Sequence, residues 1–301
     1  LIIRDLQDLP EDNRDEITRY LDQPDASTTV IFVHKGGVKG KALLDAIKKA
    51  TTRLAPFVDR LKTAHSTFDG ITDVVAGFGY KNIDGALFDL GVSSMQLDEP
   101  ERGFSYAQNA PLNMRMDSTD GITAAEVINT FGGKELARIF REYGEERFAS
   151  RIADRIIKER EVELFTNSSR LAEVVRESIP AATRRTGGHP AKRTFQALRI
   201  FINDEISILE RAIPAALNIL NQNGRMVVLS YHSLEDRIVK RAFTAVSTTS
   251  VPHGLPIEPS PADYRLLTRQ SESASELEIS ESPRATSVRS RAIEKVGGVA
   301  A

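Results

Sequence analysis

The sequence contains no cysteine, which excludes disulfides, thiolate metal sites and cysteine nucleophiles. It has no apolar run approaching the length of a membrane span and opens on no charged-then-apolar signal segment, so a cytoplasmic protein without membrane partners is expected. An excess of either charge is also lacking: 40 Lys and Arg stand against 42 Asp and Glu, a formal net charge of −2 at pH 7. Any nucleic-acid partner must then be met by local basic patches. What is present is ordinary for a globular chain, with 41% hydrophobic and 27% charged residues. A length of 301 residues allows one large domain or two moderate ones. The chain opens on Leu1, as a fragment or a processed product would.

The most informative stretch runs from Ile83 to Asp98. Residues 83–88 are mostly apolar and end in Asp89, which suits a buried strand of a parallel sheet. Beyond it the chain turns to Gly, Ser and polar side chains as far as Leu97. In open α/β sheets ligands occupy the crevice beyond the carboxyl ends of the strands, so Asp89 sits where chemistry is expected. An aspartate capping the next helix is the plainer account of a single such pattern.

The wider wording decides between them. Asp89-Leu90-Gly91-Val92-Ser93-Ser94 with Gln96-Leu97-Asp98, Glu101 to Ser105, Pro111 to Asp117, Arg141 to Glu146, His189 to Arg199 and Ser230 to Arg237 occur in that order. Together they resemble the RsmH family, also called MraW, over about residues 51 to 301. The resemblance implies an α/β, Rossmann-like S-adenosylmethionine-dependent methyltransferase sheet with an inserted all-helical domain. It implies methylation of the N4 amine of a cytidine in the decoding region of 16S ribosomal RNA, within the small ribosomal subunit. A homodimer is compatible with it. By the same resemblance Phe68 lines the adenine pocket, and Gln96 and Asp89 touch the cofactor; the chemistry of a weakly nucleophilic amine makes Asp89 also the candidate that accepts its proton.

The first 50 residues depart from that family, which opens on a strand ending in Asp-Ala and a Gly-Gly-His-Ser loop. Here the glycine cluster is Lys35-Gly36-Gly37-Val38-Lys39-Gly40-Lys41. It fails the phosphate-loop pattern at Lys35 and Ala42 and reads better as a turn into a basic helix. Strands are expected at Leu1–Ile3 and Thr28–His34, with helices at Arg14–Asp22 and Lys41–Arg53. This β-α-β-α segment resembles part of the δ subunit of the DNA polymerase III clamp loader, which sets a junction near Lys49 to Thr51. The division expected is thus 1–50, a first methyltransferase part over 51–120, a helical insertion over 121–190, and a second core part over 191–301 with a polar tail.

Apolar residues at three- and four-residue spacing predict helices over Ala124–Thr130, Glu135–Tyr143, Arg147–Glu161 and Ser169–Ser178, the last capped by Ser168-Ser169. Glu142, Glu145 and Glu146 read as a solvated helix face, and no metal site is assigned. Arg184, Arg185, Lys192 and Arg193 bracket a flexible Gly-Gly and form the strongest local basic patch, suited to a phosphate backbone. One long helix is expected from Phe195 to Ala215, ending at Asn221–Gly224, followed by a buried strand Arg225–Ser230. That strand delivers Tyr231 and His232 to the edge of Asp89, where a flipped cytosine needs an aromatic wall and hydrogen-bond partners. Ser233 is read as the cap of the next helix, Tyr264–Arg269 as a final strand, and 271–301 as a polar, partly mobile tail. A hydrolase is disfavoured because no Gly-x-Ser-x-Gly elbow is present. Two readings from other classes stand beside the methyltransferase: an inactive RNA-binding relic and a clamp-loader component.

Overall fold

A computed structural model of the chain describes residues 30–34, 61–91, 102–106, 109–117, 120–184, 189–249, 262–281 and 283–297. In chain order the elements begin with β1 (Val30–His34), β2 (Leu61–His65), a short 3-10 turn at Phe68–Gly70, α1 (Ile71–Gly77) and β3 (Ile83–Asp89). Helices α2 (Ala124–Thr130), α3 (Gly133–Gly144), α4 (Ala149–Val162) and α5 (Ser168–Ser178) follow, then a helical turn at Ala181–Arg184. The chain continues through α6 (Lys192–Ile202), α7 (Glu205–Asn218), β4 (Leu220–Ser230) and α8 (Ser233–Ser247). It closes with β5 (Tyr264–Leu266), β6 (Glu272–Ser273), a short helix at Glu276–Glu281 and β7 (Arg289–Lys295). No helix among the described residues is long and apolar enough to cross a membrane.

Two compact units emerge: one gathers the described residues up to Gly91 and those from Ile206 onwards, the other those lying between. In the first, β3 and β4 run parallel, β4 and β7 antiparallel, and β7 and β5 antiparallel, in the order β3-β4-β7-β5, with β6 also on β7. Alternate residues of β3 (Ala86, Phe88) and β4 (Met226, Val228) join Leu209, Ile213, Val239, Phe243 and Ile293 in one buried core. β1 pairs in parallel with β2, Val30 opposite Leu61 through His34 opposite His65, and not with β3. Beyond β1, the clamp-loader-like segment lies outside the described residues.

Three departures from the sequence expectations have physical causes. Asn221–Gly224 carry turn chemistry, but inside β4: Ile83 pairs with Leu220 and Gly85 already with Arg225, so these residues bulge out of the ladder. Asn223 takes a φ of 65° and Asn221 Nδ2 donates to Asp84 Oδ1 at 2.7 Å. The single helix expected from Phe195 to Ala215 is broken after Ile202. Asn203 turns its amide on Met114 O (2.8 Å) and Arg199 O (2.7 Å), and Asp204 adopts a φ of 48°. The expected polar tail contains β7, which lies between β4 and β5. Its charges hide a strand: Arg291 is buried against Asp236, and Glu294 is buried between Arg225 and Arg265.

The second unit is helical around a core that includes Leu136, Phe140, Ile152, Phe165 and Leu198. Thr123 and Glu126 form a capping box at α2. Asn167, not the Ser168-Ser169 pair, caps α5 by accepting from Arg170 N at 3.0 Å. The loop before α2 is held by Arg102, whose guanidinium donates to Arg115 O and Met116 O. Gly103 has a φ of +71°, and the space a Cβ would need is taken by Pro111 O.

Two predictions follow from this packing. At Gly144 an added Cβ would lie 2.5 Å from Arg193 O, a backbone atom of α6. Helix propensity favours Ala over Gly by about 1 kcal/mol, but overpacking costs about 1–3 kcal/mol. Gly144→Ala is therefore expected to destabilise in urea melts, and a gain in stability would show that α3 and α6 can part freely. Hydrogen bonds from Arg265 and then Arg225 lower the carboxyl pKa of Glu294. A lowered folded pKa means that its stabilisation is full above the ordinary glutamate range and is lost as pH falls through the lowered value. The melting temperature gap between wild type and Glu294→Gln should shrink on acidification through that window; a gap constant with pH contradicts it.

Candidate active site at the carboxyl edge of the sheet

Because β3 and β4 are parallel with Asp89 opposite Leu229, both leave the sheet at one edge. Leu90 N extends the ladder to Leu229 O at 3.0 Å. Beyond that bond Gly91 takes a φ of +87°, a left-handed conformation that glycine adopts without strain. A Cβ there would lie 3.4 Å from the Tyr231 ring, so the backbone runs close under the aromatic face. Tyr231 reaches across the two strand ends, and its hydroxyl donates to Asp89 Oδ1 at 2.8 Å. Beside it Ser230 is buried, and its Oγ has no hydrogen-bond partner among the described residues.

A buried carboxylate sets this turn. Glu235 is 3% exposed, and its Oε2 accepts from Tyr231 N at 2.7 Å and His232 N at 3.3 Å. In return Glu235 N donates to His232 Nδ1 at 3.4 Å, a capping box with histidine as the cap. His232 therefore caps α8, and Ser233 is its first helical residue, correcting the sequence expectation. The imidazole Nε2 lies 3.2 Å from Glu235 Oε1, a contact that becomes an ion pair only when the ring is protonated. One residue on, Asp236 receives both Nε (2.7 Å) and Nη2 (3.0 Å) of Arg291 and ties the first turn of α8 to β7.

Phe68 lies in the same unit, 3% exposed, with its ring stacked on Phe88 at 5.0 Å. It is part of the core as well as a candidate wall. The structure thus places Phe68, Asp89, Tyr231 and His232 in the first unit. Lys192 and Arg193 are in the second, both exposed, and Arg193 Nη1 donates to Glu145 O at 2.8 Å. Gln96, Arg185 and the side chain of Arg184 fall outside the described residues. Glu142, Glu145 and Glu146 serve separate ends: Glu142 pairs with Arg138, Glu145 ends α3 with a φ of 48°, and Glu146 accepts from Phe148 N. Among the described residues no group of three or more His, Asp and Glu could hold a metal ion.

Residues missing from the sequence reading are Glu235 as the organiser of the turn, Gly91 as the close approach, and the buried Ser230 hydroxyl. A glutamate three residues after the cap is legible as a capping box, although histidine is not a usual first member. Chemically, the edge offers a carboxylate oriented by a phenol.

A family model, that of the MraW methylase family, matches residues 43–296, beginning upstream of the junction read near Lys49 to Thr51. Over 260 residues the chain is 56% identical to the ribosomal RNA small subunit methyltransferase H of Nocardioides sp., covering 85% of this chain and 81% of that protein. It is 55% identical to the protein of the same name from Mycolicibacterium smegmatis, over 84% of this chain and 69% of that one. The corresponding protein of Streptomyces avermitilis is 54% identical, over 84% and 80%.

Removing the Glu235 carboxylate leaves the amides of Tyr231 and His232 without their acceptor in a part-buried place. Glu235→Ala is expected to cost about 2 kcal/mol, within the range for buried donors left unsatisfied. Glu235→Gln keeps one acceptor oxygen and should lose less than half of that. Thermal melts of both variants test this, and equal losses would mean that the carboxylate does not act as the acceptor.

Proposed function

We propose that this chain, which belongs to the MraW methylase family and is a methyltransferase, methylates the N4 amine of a cytidine in the decoding region of 16S ribosomal RNA. The donor in this proposal is S-adenosylmethionine. Support for the substrate comes from relatives named ribosomal RNA small subunit methyltransferase H that share 54–56% of their aligned residues with it. The observation that carries the chemistry is the Tyr231 hydroxyl on Asp89 at the carboxyl edge of β3.

The residues present fit such a donor. Gly91 lets the Tyr231 ring close over the strand end, Ser230 holds a buried hydroxyl with no partner among the described residues, and Asp89 supplies a carboxylate at the same edge. Asp89, with Phe68 and Gln96, would hold it. When bound, it supplies a methyl group activated by a sulfonium centre.

The nucleophile sets the demand on the protein. A cytosine N4 amine is weak because its lone pair is delocalised into the ring, so a group must accept its proton as the methyl arrives. Asp89 is assigned that role, and the Tyr231 hydroxyl holds the carboxylate in one orientation so that little reorganisation is needed. The Tyr231 ring supplies an aromatic face for an extruded base. His232, engaged with Glu235 in the cap, acts by holding the turn. Arg184, Arg185, Lys192 and Arg193 are assigned to the RNA backbone, where cations contribute affinity without reading sequence.

Titration with S-adenosylmethionine and transfer of labelled methyl groups to small-subunit RNA, followed by nucleoside digestion, test this assignment. The expected product is N4-methylcytidine, and label found only on another atom or another base overturns it. Asp89→Asn should lower kcat about 10²–10⁴-fold, the range for a lost general base. An unchanged kcat with a raised KM for the donor would reassign Asp89 to donor binding alone.

A further inference from the structure

We infer that the outward face of α8, through Lys240 and Arg241, is a contact surface for the phosphate backbone of the RNA substrate; this rests on the RNA methyltransferase reading above. The helix buries Glu235, Val239 and Phe243 and packs Ile238, Ala242 and Val246 against the same core. Arg237, Lys240, Arg241 and Thr244 are left exposed, a spacing that sets them on one helical face. Lys240 and Arg241 form no hydrogen bond or ion pair among the described residues.

The acids of α8 do not offset these cations. Glu235 is buried beneath the Tyr231 turn, and Asp236 is bound to Arg291. No acid follows between 237 and 249. Some exposed cations of the helical unit are paired with acids: Arg138 with Glu142, Arg155 with Glu159 and Arg176 with Glu173. Like charges at this spacing disfavour a helix by a few tenths of a kcal/mol, and among the described residues no ion pair offsets Lys240 and Arg241. A polyanion would.

Placement gives the surface its use. α8 starts from the Tyr231–His232 turn at the edge where Asp89 stands. At 1.5 Å per residue, Lys240 and Arg241 stand about 10–12 Å along the axis from Ser233. The face thus descends from the site and suits phosphates flanking the target nucleotide. Contacts of that kind add affinity evenly across sequences and leave the chemical step untouched.

The test measures binding of the full chain to protein-free 16S RNA between about 50 and 200 mM salt, the range in which phosphate contacts show most clearly. Lys240→Gln/Arg241→Gln should flatten the slope of log affinity against log salt by roughly 1.5, about 0.7–0.9 for each lost contact. Its kcat at saturating RNA and its affinity for S-adenosylmethionine should stay at wild-type values. The charge-keeping pair Lys240→Arg/Arg241→Lys should keep the wild-type slope. A steep wild-type slope that the double Gln variant retains overturns the surface alone. Loss of binding to assembled small subunits, with binding to free RNA intact, overturns it in favour of a protein contact. A wild-type slope near zero overturns the surface together with the RNA reading.

Discussion

One buried carboxylate, that of Glu235, organises the candidate site at the edge of the sheet. Glu235 gathers the amides of Tyr231 and His232 as the chain leaves β4, and the turn so formed sends the Tyr231 ring back across to β3. The hydroxyl of Tyr231 then meets Asp89, 142 residues away in the chain. Parallel pairing of β3 and β4 is what makes the meeting possible, since both strands end at the same edge. The glycine at 91 completes the arrangement by keeping the space beneath the ring free of a side chain.

The same unit uses buried charge to hold its sheet. β7 buries Arg291 and Glu294 on opposite faces, each matched by opposite charges from neighbouring elements. Breaking such a pair leaves an uncompensated buried charge, whereas the intact pair contributes little net stability. Their structural effect lies in register and placement. Arg291 fixes the first turn of α8 over the sheet, and through α8 it supports Glu235. The edge that carries Asp89 and Tyr231 and the antiparallel half of the sheet are thus mechanically joined.

The helical unit shows a different use of family-like residues. Arg102, Gly103 and Asn113 close the loop before α2, Arg102 through the carbonyls of Arg115 and Met116. Asn203 ties that loop to the end of α6, donating to Met114 O and accepting from Met116 N at 2.6 Å. These positions carry the resemblance as strongly as Asp89 does, yet their contacts are those of a scaffold.

By itself, the sequence determined the elements whose pattern is local. The apolar run of β3 ending in Asp89, the four periodic helices α2 to α5, and the delivery of Tyr231 to the strand edge were all legible. The family was legible because ordered motifs outweigh composition, which here is neutral and uninformative. The tertiary structure alone decided the rest. β7 reads as a polar tail because its charges are neutralised by residues 29 to 69 positions away. The break at Asn203 depends on a loop nearly 90 residues earlier, and the bulge in β4 depends on its partner strand. The Tyr231–Asp89 contact belongs to the same class. Hydrophobic periodicity and turn propensity act over a few residues and survive in the sequence. Charge compensation and strand partnering act between distant residues and exist only once the chain has folded.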